Sequence, residues 1–273
     1  MSYQEKLKAH LSAYKRSHLG IDEPGTFHYR GRELRYHHIL PLGRGNDNLL
    51  DEARPSAEAW FGKNPGARHR YFHHLNSSQA FAFNLFFPFF GGGPEASAAL
   101  LRALGQQGDL LKWELESVPV TTEGSNIDVS WTRTDSIPTI CEVKLSEMEF
   151  GTAKDDSRHR QKFEEVYLPV LASCVGSACL VPQVFFSGYQ FYRNVWHMAQ
   201  TPTCELTFLL ARSNEGLCAK LEHLLETVDS RVRGRISAVA IEDVLSQLTT
   251  DPLCLPAWRG YAAKLQNKYV IGN

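Results

Sequence analysis

The chain has 273 residues, 43% of them hydrophobic and 11% aromatic, enough to bury a sizeable core and to exclude disordered and fibrous classes. Its formal net charge of −1 does not advertise a polyanion binder, yet residues 1–75 hold 12 Lys/Arg against 8 Asp/Glu while the remainder holds 17 against 22. That basic quarter also carries eight of the eleven histidines, including Arg68-His69-Arg70 and His73-His74, so its surface either faces a polyanion or is mildly basic without a partner.

Leu7, Leu11 and Tyr14 at helical spacing predict an amphipathic helix over Tyr3–His18, ending before Gly20. From Ile21 to about Asn76 the sequence is rich in Gly, Pro, Asn and Arg, which predicts turns and short elements, with a small helix at Ala53–Trp60. The histidines here lack Cys partners and H-x3-H spacing, so they read as surface or core residues rather than zinc ligands. Asn76-Ser77-Ser78 offers an N-cap for a helix that runs to about Phe86 and is ended by Pro88. It buries Ala80, Phe81, Phe83, Leu85 and Phe86, so the polar Gln79 and Asn84 need partners, either backbone groups or an active site.

Gly91-Gly92-Gly93-Pro94 is a turn rather than a phosphate cradle, because no Gly-Lys-Ser/Thr follows, and Glu95–Leu104 reads as the next helix. Leu111–Val118 alternates as a strand, with Trp113 and Leu115 on one side and Glu114 and Glu116 on the other. Asn126 to Lys144 reads as a hairpin with strands Ile127–Arg133 and Thr139–Leu145. Asp128, Ser130 and Thr132 share one face of the first strand, and Ile140, Glu142 and Lys144 share one of the second. A turn centred on Asp135 sets Asp128 opposite Glu142, whereas a shift of one residue sets it opposite Lys144. Directly opposed Cβ atoms lie about 4.5–5.5 Å apart, close enough for two carboxylates to hold one cation, which would relieve their repulsion.

Asp155–Tyr167 predicts a charged helix, and Pro182–Gln200 a longer one anchored by Phe186, Tyr189, Tyr192 and Trp196. Gln190, Arg193 and Asn194 fall at i, i+3 and i+4 on one face of it. Strand Thr203–Ala211, helix Gly216–Val228, strand Ile236–Ile241 and helices Glu242–Thr249 and Pro256–Tyr269 complete the chain. The six cysteines are scattered without C-x-x-C pairs and no apolar leader follows Met1, so reduced thiols in a cytoplasmic protein are expected. The longest apolar run, Ala80–Phe90, is interrupted by Asn84 and Pro88 and is far short of a bilayer span, so no membrane partner is expected.

Three stretches in order carry a resemblance. Asp128 followed by Glu142-Val143-Lys144 resembles the signature of the PD-(D/E)XK nuclease superfamily, with Asn126-Ile127 standing where Pro usually precedes the Asp. SSQAFAFNLFFPF and Gln190-x-x-Arg193-Asn194 resemble elements of its restriction-endonuclease-like subgroup, and Glu116 before Ser-Val-Pro resembles that subgroup's upstream Glu. The resemblance covers about Asn76 to Ala211. It implies an α/β (α+β) fold, a restriction-endonuclease-like mixed sheet flanked by helices, as a nuclease-like domain over 76–273 with a basic N-terminal extension over 1–75 packed on it.

The resemblance further implies Mg²⁺-dependent hydrolysis of DNA phosphodiesters, with Mn²⁺ able to substitute. Asp128, Glu142, the Val143 carbonyl and Glu116 are the implied metal ligands, Lys144 the residue orienting or deprotonating the attacking water, and Gln190 a further active-site residue. Arg193, Ser78 and Gln79 are the implied nucleic-acid contacts, Arg193 reaching a phosphate or an active-site acid; Glu147 either extends the acidic cluster or caps its strand. A homodimer is one option for such an enzyme. The alternative is a module of the same fold that binds nucleic acid or protein without catalysis.

Overall fold

The computed structural model describes residues 1–272. Helix α1 (Tyr3–Leu19) opens on a reciprocal capping box between Ser2 and Glu5 and stops where Gly20 turns left-handed at φ 64°. Strands β1 (Gly25–Tyr29) and β2 (Arg32–Tyr36) form a hairpin where only turns and short elements were expected. Its turn is Arg30-Gly31, both at positive φ (49° and 75°), the geometry that matches the twist of two short antiparallel strands. Arg30 there is a residue that seldom signals such a turn, and the alternating strands are too polar to show a buried face.

After α2 (Arg54–Lys63) comes α3 (Ser78–Gly91), capped by the Ser77 hydroxyl and buried at every position from Ala80 to Phe90. Pro88 was expected to end this helix, but it lies inside it. A proline removes the N–H that would bond the carbonyl four residues back, here that of Asn84. The Tyr261 hydroxyl donates to this carbonyl instead, so the helix continues without an orphaned acceptor. The Asn84 side chain is equally occupied: Oδ1 accepts from the Leu50 N–H at 2.7 Å, and Nδ2 donates to the Asn48 carbonyl at 2.9 Å and to the Tyr269 hydroxyl at 2.7 Å.

Helix α4 (Pro94–Ala103) leads to β3 (Leu110–Ser117), β4 (Ile127–Arg133) and β5 (Pro138–Lys144). The charged stretch expected as one helix over Asp155–Tyr167 is instead α5 (Ser157–Lys162), a π-helical turn (Phe163–Tyr167) and α6 (Leu168–Leu171). The helix expected over Pro182–Gln200 is divided at Gly188 into α7 (Pro182–Ser187) and α8 (Tyr189–Ala199). A Cβ on Gly188 would meet the Tyr192 ring at 3.0 Å and Leu224 at 3.2 Å, so any other residue would have to push these side chains back by a few tenths of an ångström. Then follow β6 (Glu205–Leu210), α9 (Glu215–Glu226), α10 (Ser230–Arg233), β7 (Ile236–Ala240), α11 (Ile241–Thr250) and α12 (Pro256–Tyr269).

The strands beyond the N-terminal hairpin form one five-stranded mixed sheet in the order β3-β4-β5-β6-β7, flanked by helices as expected of this α+β class. All six cysteines are free thiols, and no helix among the described residues is long and apolar enough to cross a membrane. The chain divides into two compact units: Met1–Leu110 with Val143–Ser146 and Ala240–Asn273, and Leu111–Glu142 with Glu147–Val239. The boundary expected at residue 75 therefore falls inside the first unit, whose aromatic core contains Phe81 edge-on to Tyr269 at 4.9 Å and Phe61 stacked on Phe83 at 4.9 Å. The second unit buries Phe163, Tyr167, Phe185, Phe191 and Phe208.

The Tyr261 hydroxyl serves the carbonyl that Pro88 cannot. Tyr261→Phe should lower unfolding stability by about 1–3 kcal/mol in a urea titration, because it leaves a buried acceptor unpaired. An unchanged midpoint would show that the acceptor is satisfied otherwise.

Candidate active site

Strand β4 alternates buried and half-buried along its whole length, so Ile127, Val129 and Trp131 face the core and Asp128, Ser130 and Thr132 the other side. The hairpin pairs Val129 with Cys141, Ser130 with Ile140 and Trp131 with Thr139, the register centred on Asp135. Carried one residue further, this register sets Asp128 against Glu142. Lys144 follows two residues after Glu142 on the same strand face and is only 6% exposed. Burial pushes the Cys141 thiol up, and the charges of Asp128 and Glu142 raise it further.

Glu142 is 2% exposed, and α8 answers its burial. Gln190 Nε2 donates to one carboxylate oxygen at 2.6 Å and Asn194 Nδ2 donates to the other at 2.8 Å. Both donors are neutral amides. The division of the helix at Gly188 is what puts Gln190 into the first turn of α8, with Asn194 one turn on.

Glu116 stands at the end of β3 with φ 51°, a left-handed conformation that costs a non-glycine residue of the order of 1–3 kcal/mol. Its carboxylate accepts a hydrogen bond from Asn126 Nδ2 at 3.1 Å. Asn126 occupies the place where the resemblance leads one to expect proline, and here it restrains this acid. Among the described residues no three His, Cys, Asp or Glu side chains are grouped as metal ligands. The carboxylate oxygens of Asp128 and Glu142 are hard donors, of the kind that suits an ion which keeps several waters. Arg193 lies with its Cζ 5.9 Å above the Tyr189 ring, and its buried Nε has no hydrogen-bond partner.

Ser78 and Gln79 belong to the first compact unit, and Asp128, Glu142, Glu116, Gln190 and Arg193 to the second. Ser78 begins α3, and Gln79 braces the preceding loop, accepting from the His69 N–H at 2.8 Å and donating to the Ala67 carbonyl at 2.9 Å. Glu147 offers its backbone carbonyl to Asn214 Nδ2 at 2.7 Å.

One cluster had no counterpart in the sequence reading. The Glu123 side chain, in the loop between β3 and β4, is completely buried and is met by Lys162 Nζ at 2.7 Å, His197 Nε2 at 3.2 Å, the Ser125 hydroxyl and the Tyr167 hydroxyl. Burial alone would raise this carboxyl, but the hydrogen bonds from His197, Lys162, Ser125 and Tyr167 outweigh it and hold the group well below the usual carboxylate range. Tyr167, at the end of the π-helical turn, also bonds the Tyr189 hydroxyl at 2.7 Å. Glu123 thereby fixes both ends of α8, through Tyr189 at its start and His197 near its finish. The available signal was the polar stripe Gln190, Asn194, His197 at i, i+4, i+7 on an otherwise aromatic helix.

A carboxyl held low in the folded state contributes stability that is present above its ordinary value of 4.5 and lost as pH falls towards its folded value. Glu123→Gln should therefore destabilise the protein by about 3 kcal/mol at pH 7, the cost of breaking a buried ion pair. The gap to wild type should shrink progressively below about pH 4.5, readable from urea titrations at a series of pH values.

A family model described as Restriction Endonuclease associating with ARP matches residues 8–270. No curated protein and no solved structure matches the chain.

Proposed function

This chain belongs to the family of restriction endonucleases associating with ARP, and we propose that it is a Mg²⁺-dependent nuclease that hydrolyses DNA phosphodiester bonds. The observation that carries the reading is the buried Glu142 carboxylate, held by two neutral amides of α8 on the strand whose register sets it against Asp128. Asp128, Glu142 and the Val143 carbonyl would hold Mg²⁺, or Mn²⁺ in its place, since both take oxygen ligands. Glu116, on β3, would be a further oxygen ligand of the same ion. When bound, the ion would supply Lewis-acid stabilisation of the phosphoryl oxygens and a lowered pKa for a coordinated water.

The chain's own residues do the rest. Gln190 and Asn194 fix the orientation of the Glu142 carboxylate, so both of its oxygens are directed before substrate arrives. Lys144, two residues along the same strand face, orients the attacking water and withdraws or returns its proton. Arg193, its Nε without an intramolecular acceptor, is suited to a phosphate oxygen of the bound strand.

Glu142→Gln should keep the fold, since its size is nearly unchanged, and lose measurable Mn²⁺ binding by calorimetry. Unaltered affinity in a folded variant would show that this carboxylate is not a ligand. Lys144→Ala should slow Mg²⁺-dependent plasmid cleavage by about 10²-fold or more, the usual contribution of a positioned proton-transfer group. Absence of any cleavage by wild type with either ion would instead favour a binding module of nuclease fold.

A further inference from the structure

The first compact unit holds a cleft of about 380 Å³ that the catalytic reading does not use. The charged and titratable side chains lining it are Arg68, His69, Arg70 and His73, and no Asp or Glu lines it among the described residues. Two acids next to the lining are already paired: Glu58 accepts from Nδ2 of the lining residue Asn46 at 2.6 Å, and Asp47 pairs with Arg44. In a chain whose formal net charge is −1, a cleft lined by one sign of charge is a local concentration of positive potential.

The arginines are also held in place. The Arg68 guanidinium lies 4.3 Å above the Phe61 ring and 5.2 Å from that of Phe72, and Arg70 lies 4.3 Å above Tyr71. Stacking leaves the N–H edge of a guanidinium available while limiting the rotamers it loses on binding. The loop that carries Arg68 is fixed by Gln79 through its bonds to Ala67 and His69. The cleft continues onto the β1–β2 hairpin, because His73 Nε2 meets the Thr26 carbonyl at 3.3 Å and Tyr71 packs against Phe27 at 5.4 Å between ring centroids. That hairpin adds Arg30 and Arg32 and the exposed rings of Tyr29 and Tyr36. A cleft for one small anion needs no such extension, whereas a chain of phosphodiesters does.

We propose that the Arg68–Arg70–His73 cleft binds the phosphate backbone of nucleic acid, as a contact site additional to the acidic residues on the sheet. The inference rests on DNA being the substrate. In this role Gln79 shapes the loop that presents Arg68 and need not touch the nucleic acid itself.

The test is anisotropy of a short fluorescein-labelled duplex with the full-length protein in EDTA, titrated over KCl concentration. Arg68→Ala/Arg70→Ala should weaken binding tenfold or more at low salt and lower the magnitude of the slope of log K against log salt by about two, one per lost phosphate contact. Arg68→Lys/Arg70→Lys should retain the slope, and Arg16→Ala, an exposed arginine on α1, should change neither quantity. Circular dichroism confirms that each variant is folded. A slope unaltered in the double alanine variant overturns the proposal but leaves the catalytic reading standing, since that is judged by cleavage with Lys144→Ala. Calorimetric binding of inorganic phosphate as tight as the duplex overturns it in favour of a small-anion site. No duplex binding by wild type overturns it as well.

Discussion

A carboxylate removed from water must be answered by donors, by a cation, or by both, and Glu142 on the middle strand of the sheet sets that requirement for its unit. Gln190 and Asn194 answer it in part, with two hydrogen bonds and no charge. Both carboxylate oxygens are thereby directed.

The amides can serve Glu142 only if α8 is held in register with β5. Three features hold it. Gly188 allows the close bend against Tyr192 and Leu224 that starts the helix at Tyr189. The π-helical turn ends at Tyr167, whose hydroxyl joins Tyr189 to Glu123. His197 and Lys162 complete the shell of Glu123, a second buried acid of the same unit.

The first unit solves a different problem. Helix α3 is apolar on every face, so its polar interruptions must be satisfied by other elements. Asn84 draws in the chain at Asn48 and Leu50 as well as Tyr269, and Tyr261 caps the carbonyl that Pro88 strands. The C-terminal helix is thereby tied to α3 by hydroxyls, and Lys268 of the same helix, pushed down to about 7 by its burial, reaches Asn48. The hydrogen bonds specify which apolar faces meet, a matter that hydrophobic burial alone leaves degenerate.

Alternation of apolar and polar residues by itself determined β4 and β5 and narrowed their pairing to two registers, because a strand's period of two and a short connection leave few, and the folded chain takes the one centred on Asp135. Helix α12, with Pro256 at its start, was legible to both ends for the same local reason. The mixed sheet and its flanking helices were implied by the family resemblance that these segments carry. The tertiary structure alone decided that Pro88 lies within a helix, since the compensating hydroxyl comes from Tyr261, far along the chain. It alone decided that Glu123, with no periodic signal around it, is buried at the centre of a charged cluster, and that Asn194 joins Gln190 in holding Glu142. Local pattern reports what each segment prefers, whereas the satisfaction of a buried polar group depends on partners that only the folded chain brings within hydrogen-bonding distance.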